Sequence, residues 1–217
     1  MPRVPSAGVP PTLAPVTLTG RFVQLEPLSL DHVDQLATAA AVDRSSFGWM
    51  VVPDGTDAMG AYISGLVADH AALKVLPFAQ RDLGTGSVVG CTRFLYPYWW
   101  SGRAEPDEVE IGGTWLGAAA QRTPINSEAK LLLLEHAFET FGVWRIAICT
   151  DERNTRSRTA IERIGATFEG VQRNHRVRAG EFANPTGEVI ARNTAVYSIV
   201  APEWPRVRDG LTSRLGA

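Results

Sequence analysis

The sequence contains little cysteine, almost no net charge and no long apolar run, and each shortage excludes a class of protein. Its two cysteines are too few for a disulfide framework or a zinc site. A formal net charge of −2 provides no electrostatic footprint for nucleic acid. No window approaches the roughly 18 to 20 apolar residues that cross a bilayer, and a secretory leader pattern is missing. We therefore expect a cytoplasmic protein that binds neither nucleic acid nor membrane.

The length and composition are those of a single globular domain with an N-terminal extension. The 217 residues are 45% hydrophobic, which is enough for one large core. Residues Met1 to Val16 carry five prolines and little charge, a composition typical of extended chain that does not pack. We therefore predict a proline-rich mobile arm over residues 1–16 and one domain over residues 17–217.

Hydrophobic periodicity and turn residues predict a mixture of strands and helices. The predicted strands cover residues 19–27, 77–81, 87–96, 108–116, 144–150, 167–178 and 194–200. The predicted helices run from Ser29 or Asp31 to Ala41, from about 57 to 73, from near Ser127, from 154 to 164, and from about 202 to 215. Gly165 is expected to be the left-handed C-terminal cap of the 154–164 helix. Gly84-Thr85-Gly86 lies between two strands with no helix after it, which excludes a dinucleotide-binding loop.

The turn that ends the 108–116 strand carries the strongest functional signal. The six residues before the next helix are Gln121, Arg122, Thr123, Pro124, Ile125 and Asn126. A helix start near Ser127 would direct free N–H groups and a positive dipole end at an anion such as a pyrophosphate. Asn126 and Ser127 are also common N-cap residues, so a simple helix cap is the alternative interpretation.

The helix that follows this turn is amphipathic. Its apolar face contains Ala129, Leu132, Leu133, His136, Ala137 and Phe141. The charged residues expected largely outside that face are Glu128, Lys130, Glu135 and Glu139. The pattern predicts that the first set packs on the sheet.

Two spaced motifs make the chain similar to a known family. Gln121 to Asn126 resembles a Q/R-x-x-G-x-G/A loop, and Asn154-Thr155-Arg156-Ser157, with Gly165 eleven residues after the asparagine, resembles a second motif. From about Thr19 to Trp204 the chain thus resembles the GCN5-related N-acetyltransferase (GNAT) superfamily, most closely its ribosomal-protein N-terminal acetyltransferase-like branch. The resemblance implies an α/β (α+β) fold with a mixed, mostly antiparallel sheet that splays between its fourth and fifth strands.

The resemblance also implies a co-substrate, which is acetyl-CoA or another short acyl-CoA such as succinyl-CoA, and requires no metal. The loop from Gln121 to Ser127 would hold the pyrophosphate, and the Asn154 side chain would contact the pantetheine arm. The residues whose backbone N–H groups would polarise the thioester carbonyl are Thr114, Trp115 and Leu116. Pro124 and Asn126 stand where the family has glycine and glycine or alanine. Since proline lacks an N–H, we expect the cradle to survive with altered donors.

The catalytic residues are less regular. Ile161 occupies the position where the family commonly has a tyrosine that protonates the departing thiolate. Ser157, one helical turn earlier, is the candidate substitute; the alternatives are that it only binds coenzyme and that solvent supplies the proton.

A carboxylate is expected to accept the proton of the attacking amine. Glu110 and Glu108 are the candidates, and Glu110 is preferred. The alternative is a solvated carboxylate at a strand edge. Period-two alternation predicts that Glu108, Glu110, Gly112 and Thr114 share one face of their strand.

The aromatic loop from Tyr96 to Trp100 is predicted either to wall off a pocket or to bury in the core or a dimer interface. Arg103 nearby could pair with an acidic acyl chain. The sequence therefore predicts an acyl-CoA-dependent N-acyltransferase, acetyl or succinyl, that acts on a small-molecule or protein amine, with a homo-oligomer left open. The alternative is a non-catalytic acyl-CoA-binding or regulatory module.

Overall fold

The computed structural model describes residues 11–177 and 190–216, which form one sheet with helices on both faces. The strands are β1 (Leu18–Thr19), β2 (Val23–Pro27), β3 (Val75–Asp82), β4 (Val88–Tyr98), β5 (Glu108–Leu116), β6 (Arg145–Asp151), β7 (Thr167–Val177) and β8 (Ala191–Val200). The helices are α1 (Val33–Ala41), α2 (Gly55–Ala71), α3 (Ile125–Glu135), α4 (Thr155–Arg163) and α5 (Trp204–Leu215). The last residue of the predicted 167–178 strand lies outside the described residues.

The sheet contains an internal gap. Its strands follow the order β1-β2-β3-β4-β5-β6-β8-β7, and only β5 and β6 are parallel. These two strands pair from Glu108 opposite Arg145 to Glu110 opposite Ala147, and within the described residues the rest of each strand is not paired with the other. The unpaired part of β5, residues 111–116, spans roughly 20 Å. The predicted α/β fold with a splayed, mostly antiparallel sheet is confirmed. Since β1 and β2 together replace the first predicted strand, the fourth and fifth predicted strands are β5 and β6.

The two faces of the sheet bury different cores. On one face, α3 and α5 cover a core that includes Phe78, Phe94, Ile111, Ile146 and Tyr197. On the other face, α1 and α2 pack around a core that includes Met59, Ile63, Ala79, Cys91 and Trp115, and this second core contains no residue of β6, β7 or β8. On this side, the residues of β6 and β8 are nevertheless buried, and the described ones that are at most 8% exposed are Ala147, Asp151, Thr194, Val196 and Ser198.

Residues that precede the predicted start of the domain at residue 17 already pack against it. Leu13 is 2% exposed and belongs to the α3-side core. Thr12 donates its N–H to the Ala104 carbonyl at 2.8 Å, and the Leu13 carbonyl lies 2.8 Å from His70 Nε2. Residues 1–10 lie outside the described part of the chain. The predicted mobile arm over residues 1–16 is thus wrong from Thr12 onward, because Leu13 fills a core position.

Within residues 11–177 and 190–216, no helix combines the length and the apolarity that a membrane span needs. The same residues contain no group of three or more histidine, cysteine, aspartate or glutamate side chains that could hold a metal ion.

Candidate functional site

A β-bulge lies beside the gap. Gly112 opposes Arg93 and Trp115 opposes Cys91, so β5 has one more residue than β4 between these two pairs. Gly113 adopts a left-handed φ of 56°, and a Cβ there would lie 2.4 Å from the Arg93 guanidinium carbon. Glycine suits this position because the left-handed φ strains any other residue, and a Cβ would also displace the Arg93 guanidinium.

The bulge changes which residues share a face. Before it, Ile111 belongs to the α3-side core, so Glu110 points to the α1–α2 side. After it, Trp115 belongs to the α1–α2 core, and Thr114 points to α3, where Lys130 Nζ contacts its hydroxyl at 2.7 Å. The predicted common face of Glu108, Glu110, Gly112 and Thr114 is therefore wrong beyond Gly112, since one inserted residue reverses the alternation.

The loop before α3 begins the helix earlier than predicted. Helix α3 starts at Ile125 with Pro124 as N-cap at φ −62°, and Glu128 donates its N–H to the Pro124 carbonyl at 3.0 Å. Asn126 and Ser127 are first-turn residues, so the prediction that they cap the helix with their side chains is wrong. Proline suits this position because its fixed φ matches the helix and its missing N–H costs no bond there. The N–H groups of Asn126 and Ser127 therefore have no acceptor within the helix.

The preceding loop is held in place by side-chain hydrogen bonds. Gln121 Nε2 donates to the Leu116 carbonyl at 2.9 Å and to Ser46 Oγ at 2.8 Å. Thr123 Oγ1 donates to the Ala120 carbonyl at 2.7 Å. Arg122 has a left-handed φ of 60°, an uncommon conformation for a residue with a side chain. Ile125 is buried in the core, so only its backbone faces the loop.

Helix α4 begins on the other side of the gap. Asn154 is its N-cap, and its Oδ1 accepts the Ser157 N–H at 3.0 Å. Arg156 donates from Nη2 to Gln121 Oε1 at 2.8 Å, which places the two helix starts side by side at the wide end of the gap. The expected C-cap is also present, since Gly165 has a left-handed φ of 95°.

A polar cleft of about 360 Å³ lies at this wide end. Its lining residues are Asp43, Ser45, Ser46, Ala118, Gln121, Arg122 and Arg156. Two arginines against one aspartate leave it with an excess of positive charge. Together with the free first-turn N–H groups of α3, this lining fits a group that carries phosphates, as coenzyme A does.

The narrow end of the gap contains Glu110. The residue is 6% exposed, and its carboxylate accepts two hydrogen bonds from Arg176, Nη1 to Oε1 at 2.9 Å and Nη2 to Oε2 at 2.6 Å. The Arg176 guanidinium lies 4.9 Å from the Tyr96 ring centroid. Burial, with Glu110 nearby, raises the pKa of the half-buried Cys149 thiol to about 12, so this thiol is uncharged near neutral pH. Glu110 is thus a buried, paired carboxylate rather than a solvated edge residue.

Glu108 has a different environment. Arg145 donates from Nη1 to Glu108 Oε1 at 2.5 Å and from Nη2 to Glu169 at 2.6 Å. Burial raises the pKa of Glu108 despite this partner. Glu108 is therefore part of an ion-pair network with Arg145 and Glu169, and it lies two residues before Glu110, where the gap begins.

Lys130 is a buried amine behind the bulge. It is 8% exposed, and its described polar contact is the Thr114 hydroxyl, which in turn lies 2.8 Å from Thr92 Oγ1. Burial lowers the pKa of Lys130 to about 7. The prediction that Lys130 lies outside the packed face of α3 is wrong, and so is the prediction for Glu128, which is 6% exposed.

Ser157 and Ile161 lie on the first turns of α4. Ile161 is 6% exposed and packs in the α3-side core, so this position carries no acid in this chain. Ser157 is half-buried, and its hydroxyl forms no hydrogen bond with any described residue. The hydroxyl is therefore available to a ligand in the gap.

The aromatic loop lies at the opposite end of β5 from the polar cleft. Trp100 is 57% exposed and stacks on Tyr98 with a centroid distance of 5.8 Å. Arg103 donates to Asp107 at 2.8 Å, to the Pro106 carbonyl at 2.6 Å and to the Gly142 carbonyl at 2.9 Å. The expectation that Arg103 meets an acyl chain is wrong, because its guanidinium fastens this loop.

A sheet that opens between parallel strands, with two helix starts at the wide end and a bulged strand inside, defines the class of acyl-CoA-dependent acetyltransferases. The model of the acetyltransferase (GNAT) domain matches residues 23–167, and the chain belongs to this family.

Three solved structures illustrate the relationship. A T. thermophilus protein described as an acetyltransferase is 30% identical, with 94% of this chain and 99% of that chain covered and a TM-score of 0.76. A GCN5-related N-acetyltransferase from Brucella melitensis is 28% identical, with 95% and 88% covered and a TM-score of 0.75. Mycobacterium smegmatis RimJ in complex with CoA-disulfide is 20% identical, with 93% and 95% covered and a TM-score of 0.74, which shows a shared fold. No curated protein sequence matches the chain.

Proposed function

We propose that this protein transfers an acetyl group from acetyl-CoA to a primary amine by direct attack of the amine on the thioester. The observation that carries the proposal is the gap between β5 and β6, which is bounded by the bulge at Gly113 and by the starts of α3 and α4. A linear ligand laid along residues 111–116 would have its phosphates at the polar cleft and its reactive end near Glu110. In this reaction a carbon–nitrogen bond forms, the carbon–sulfur bond breaks, and the amine loses a proton.

The chain's own residues would divide the work between binding and proton transfer. The first-turn N–H groups of Asn126 and Ser127, with Arg122 and Arg156, would bind the phosphates. The unpaired strand edge of Thr114 to Leu116 would donate N–H groups to the thioester oxygen. Glu110 would accept the amine proton, directly or through a water, and Ser157 would donate to the leaving thiolate or hold the arm beside it. Acetyl is the donor that the family supports, and succinyl remains a test.

Thiol release tests this proposal against the alternative of a non-catalytic acyl-CoA-binding module. The protein is incubated with acetyl-CoA or succinyl-CoA and a panel of small amines and peptide N-termini, and free coenzyme A is measured with a thiol reagent. Amine-dependent release with acetyl-CoA supports the enzyme. Tight binding of coenzyme by calorimetry, without turnover on any amine, would instead establish the binding module.

Substitution of Glu110 by glutamine tests the proton acceptor. We expect kcat to fall by roughly 10²-fold or more, because general-base catalysis contributes about 10²- to 10⁴-fold. The KM for acetyl-CoA should change little, since the phosphates bind at the other end of the gap. Glu108→Gln is the matched control on the same strand face, and steady-state kinetics of both variants give the comparison. Equal losses in the two variants would remove Glu110 from the proton-transfer role.

Substitution of Asn154 separates a capping role from a coenzyme contact. Asn154→Ala removes the N-cap and should lower the free energy of unfolding by about 1 kcal/mol, and it should also raise the KM for acetyl-CoA. Asn154→Asp keeps an oxygen that accepts the Ser157 N–H but lacks the amide donor. We expect Asn154→Asp to retain stability in thermal melts while its KM rises as in the alanine variant. An aspartate variant with an unchanged KM would confine Asn154 to capping.

A further inference from the structure

The hairpin of β7 and β8 places two arginines directly opposite each other. Arg176 and Arg192 are partners in the antiparallel register, so their side chains leave the same face of the sheet. Like charges in such a pair repel and destabilise the hairpin. A pair of this kind therefore needs a negative charge nearby.

Among the described residues, one of the two arginines forms an ion pair and the other does not. Arg176 is paired with Glu110 through both of its terminal nitrogens. Arg192 forms no ion pair within residues 11–177 and 190–216, and its buried Nε has no hydrogen-bond partner there. Burial lowers the pKa of Arg192, and the neighbouring Arg176 lowers it further.

The carboxylates near Arg192 already have partners. Glu110 is held by Arg176, and Asp151 is held by Arg153 at 2.9 Å. Both carboxylates attract Arg192 without contacting it. Among the described residues, Arg192 is thus the arginine of this cluster without a direct carboxylate partner, and its buried Nε is a donor left for another anion.

The position of Arg192 indicates that it faces the acceptor amine rather than the coenzyme. Arg192 lies on the same face as Arg176, and Arg176 reaches Glu110, the last residue of β5 that pairs with β6. That face is opposite α3, and Thr194, Val196 and Ser198 on it are buried, whereas Arg192 near the start of β8 is only half-buried. The phosphates of the coenzyme would lie at the other end of the gap, so Arg192 is placed toward the acceptor rather than the coenzyme.

We propose that Arg192 binds an anionic group on the acceptor, so that the substrate is an amine that also carries a carboxylate or a phosphate. This inference rests on the proposed acetyltransferase function. The guanidinium would pair with the anion while the amine reaches Glu110, and the same two arginines would repel polyamines and other polycationic acceptors. The cluster thereby selects among amines by charge.

The test uses acceptors that differ in charge and little else. Glycine is compared with glycinamide and phosphoethanolamine with ethanolamine, each second compound lacking the anionic group, and spermidine serves as the polycationic amine. For the wild-type protein we expect kcat/KM to be roughly 10- to 100-fold higher for an anionic acceptor than for its neutral match. The two anionic acceptors distinguish carboxylate from phosphate. Arg192→Met should abolish the preference through KM, and Arg192→Lys should restore part of it.

A matched control removes a positive charge from the same hairpin without touching the cluster. Arg173 on β7 is exposed and forms no hydrogen bond or ion pair with the described residues, so Arg173→Met should keep the preference. Equal effects of Arg173→Met and Arg192→Met would overturn the inference by reducing it to net charge. A KM change confined to succinyl-CoA in Arg192→Met would also overturn it, because the anion would then belong to the acyl chain.

Ligand binding keeps this inference distinct from the proposed function. Calorimetry with coenzyme A present compares phosphoethanolamine with ethanolamine on the wild-type and Arg192→Met proteins. Selective binding of the anionic ligand that requires Arg192, without turnover, would support the anion site and refute the enzyme. Equal binding of the charged and neutral ligands would overturn the anion site even if acetyl transfer occurs.

Discussion

Replacing Glu128 by glutamine is expected to lower the free energy of unfolding by about 3 kcal/mol. The buried Glu128 carboxylate accepts three backbone N–H groups of the turn between β1 and β2, from Arg21 at 2.8 Å, Phe22 at 2.6 Å and Val23 at 2.8 Å. Glutamine has one acceptor oxygen, and its NH₂ group would face donors. At least one buried N–H then loses its partner, which costs roughly 1–3 kcal/mol, and the charge-assisted character of the others is lost.

Denaturant unfolding at neutral pH measures this loss. Glu135→Gln is the control, because Glu135 lies on the same helix, is exposed and forms no hydrogen bond with the described residues. It should change stability by less than about 0.5 kcal/mol. If Glu128→Gln matched this control, the carboxylate would not be what holds the β1–β2 turn.

Replacing Lys130 by methionine is expected to stabilise the protein, by roughly 2–4 kcal/mol at pH 7.5. The folded pKa of Lys130 is lowered to about 7 from 10.5 by burial. The unfolded chain therefore binds more protons between these two values, and stability rises with pH in this interval. The penalty is complete below pH 7 and disappears as the pH approaches 10.5. Methionine fills a similar volume and carries no charge.

The diagnostic readout is the difference between two pH values. The stabilisation by Lys130→Met should shrink to roughly 1 kcal/mol at pH 9.5, where much of the unfolded lysine is still charged but the penalty is small. Lys74→Met, at a lysine whose side chain is 67% exposed, is the control and should change the free energy of unfolding by less than about 1 kcal/mol. A stabilisation of equal size at both pH values would mean that Lys130 does not titrate between them.

Local signals in the sequence were sufficient for strands and for one helix cap. Strand β5 has the predicted bounds, Glu108–Leu116, since its turn residues and apolar alternation act within a few positions. The C-terminal cap of α4 at Gly165 was also readable, because it depends on the conformation of one residue. The start of α3 was misplaced, since three suitable residues, Pro124, Asn126 and Ser127, compete there and proline wins by its fixed φ.

The bulge had a signal in the sequence that periodicity concealed. Gly112 and Gly113 interrupt the alternating pattern of the strand, and a glycine inside a strand often marks a bulge. Period-two alternation applied across the two glycines therefore placed the Thr114 side chain on the wrong face of the strand. The correct face follows only when the extra residue opposite β4 is known.

Partners distant in sequence were beyond prediction from the chain alone. Glu128 binds a turn 105 to 107 residues away, and Arg176 reaches Glu110 across 66 residues. The helix pattern assigned Glu128 and Lys130 to the polar side because charge is normally exposed. Their burial depends on a turn and a bulge that the local pattern does not contain.

The short ladder between β5 and β6 also determines how the domain holds together. Three residue pairs between β5 and β6 join the five strands β1 to β5 to the three strands β6, β8 and β7. Beyond these pairs, the described edges of β5 and β6 that face the gap form no backbone hydrogen bonds with each other. A ligand that contacts both edges would act as a missing strand and bind only the assembled fold. The melting temperature should therefore rise with the concentration of that ligand by mass action, so occupancy of the gap contributes to the stability of the domain.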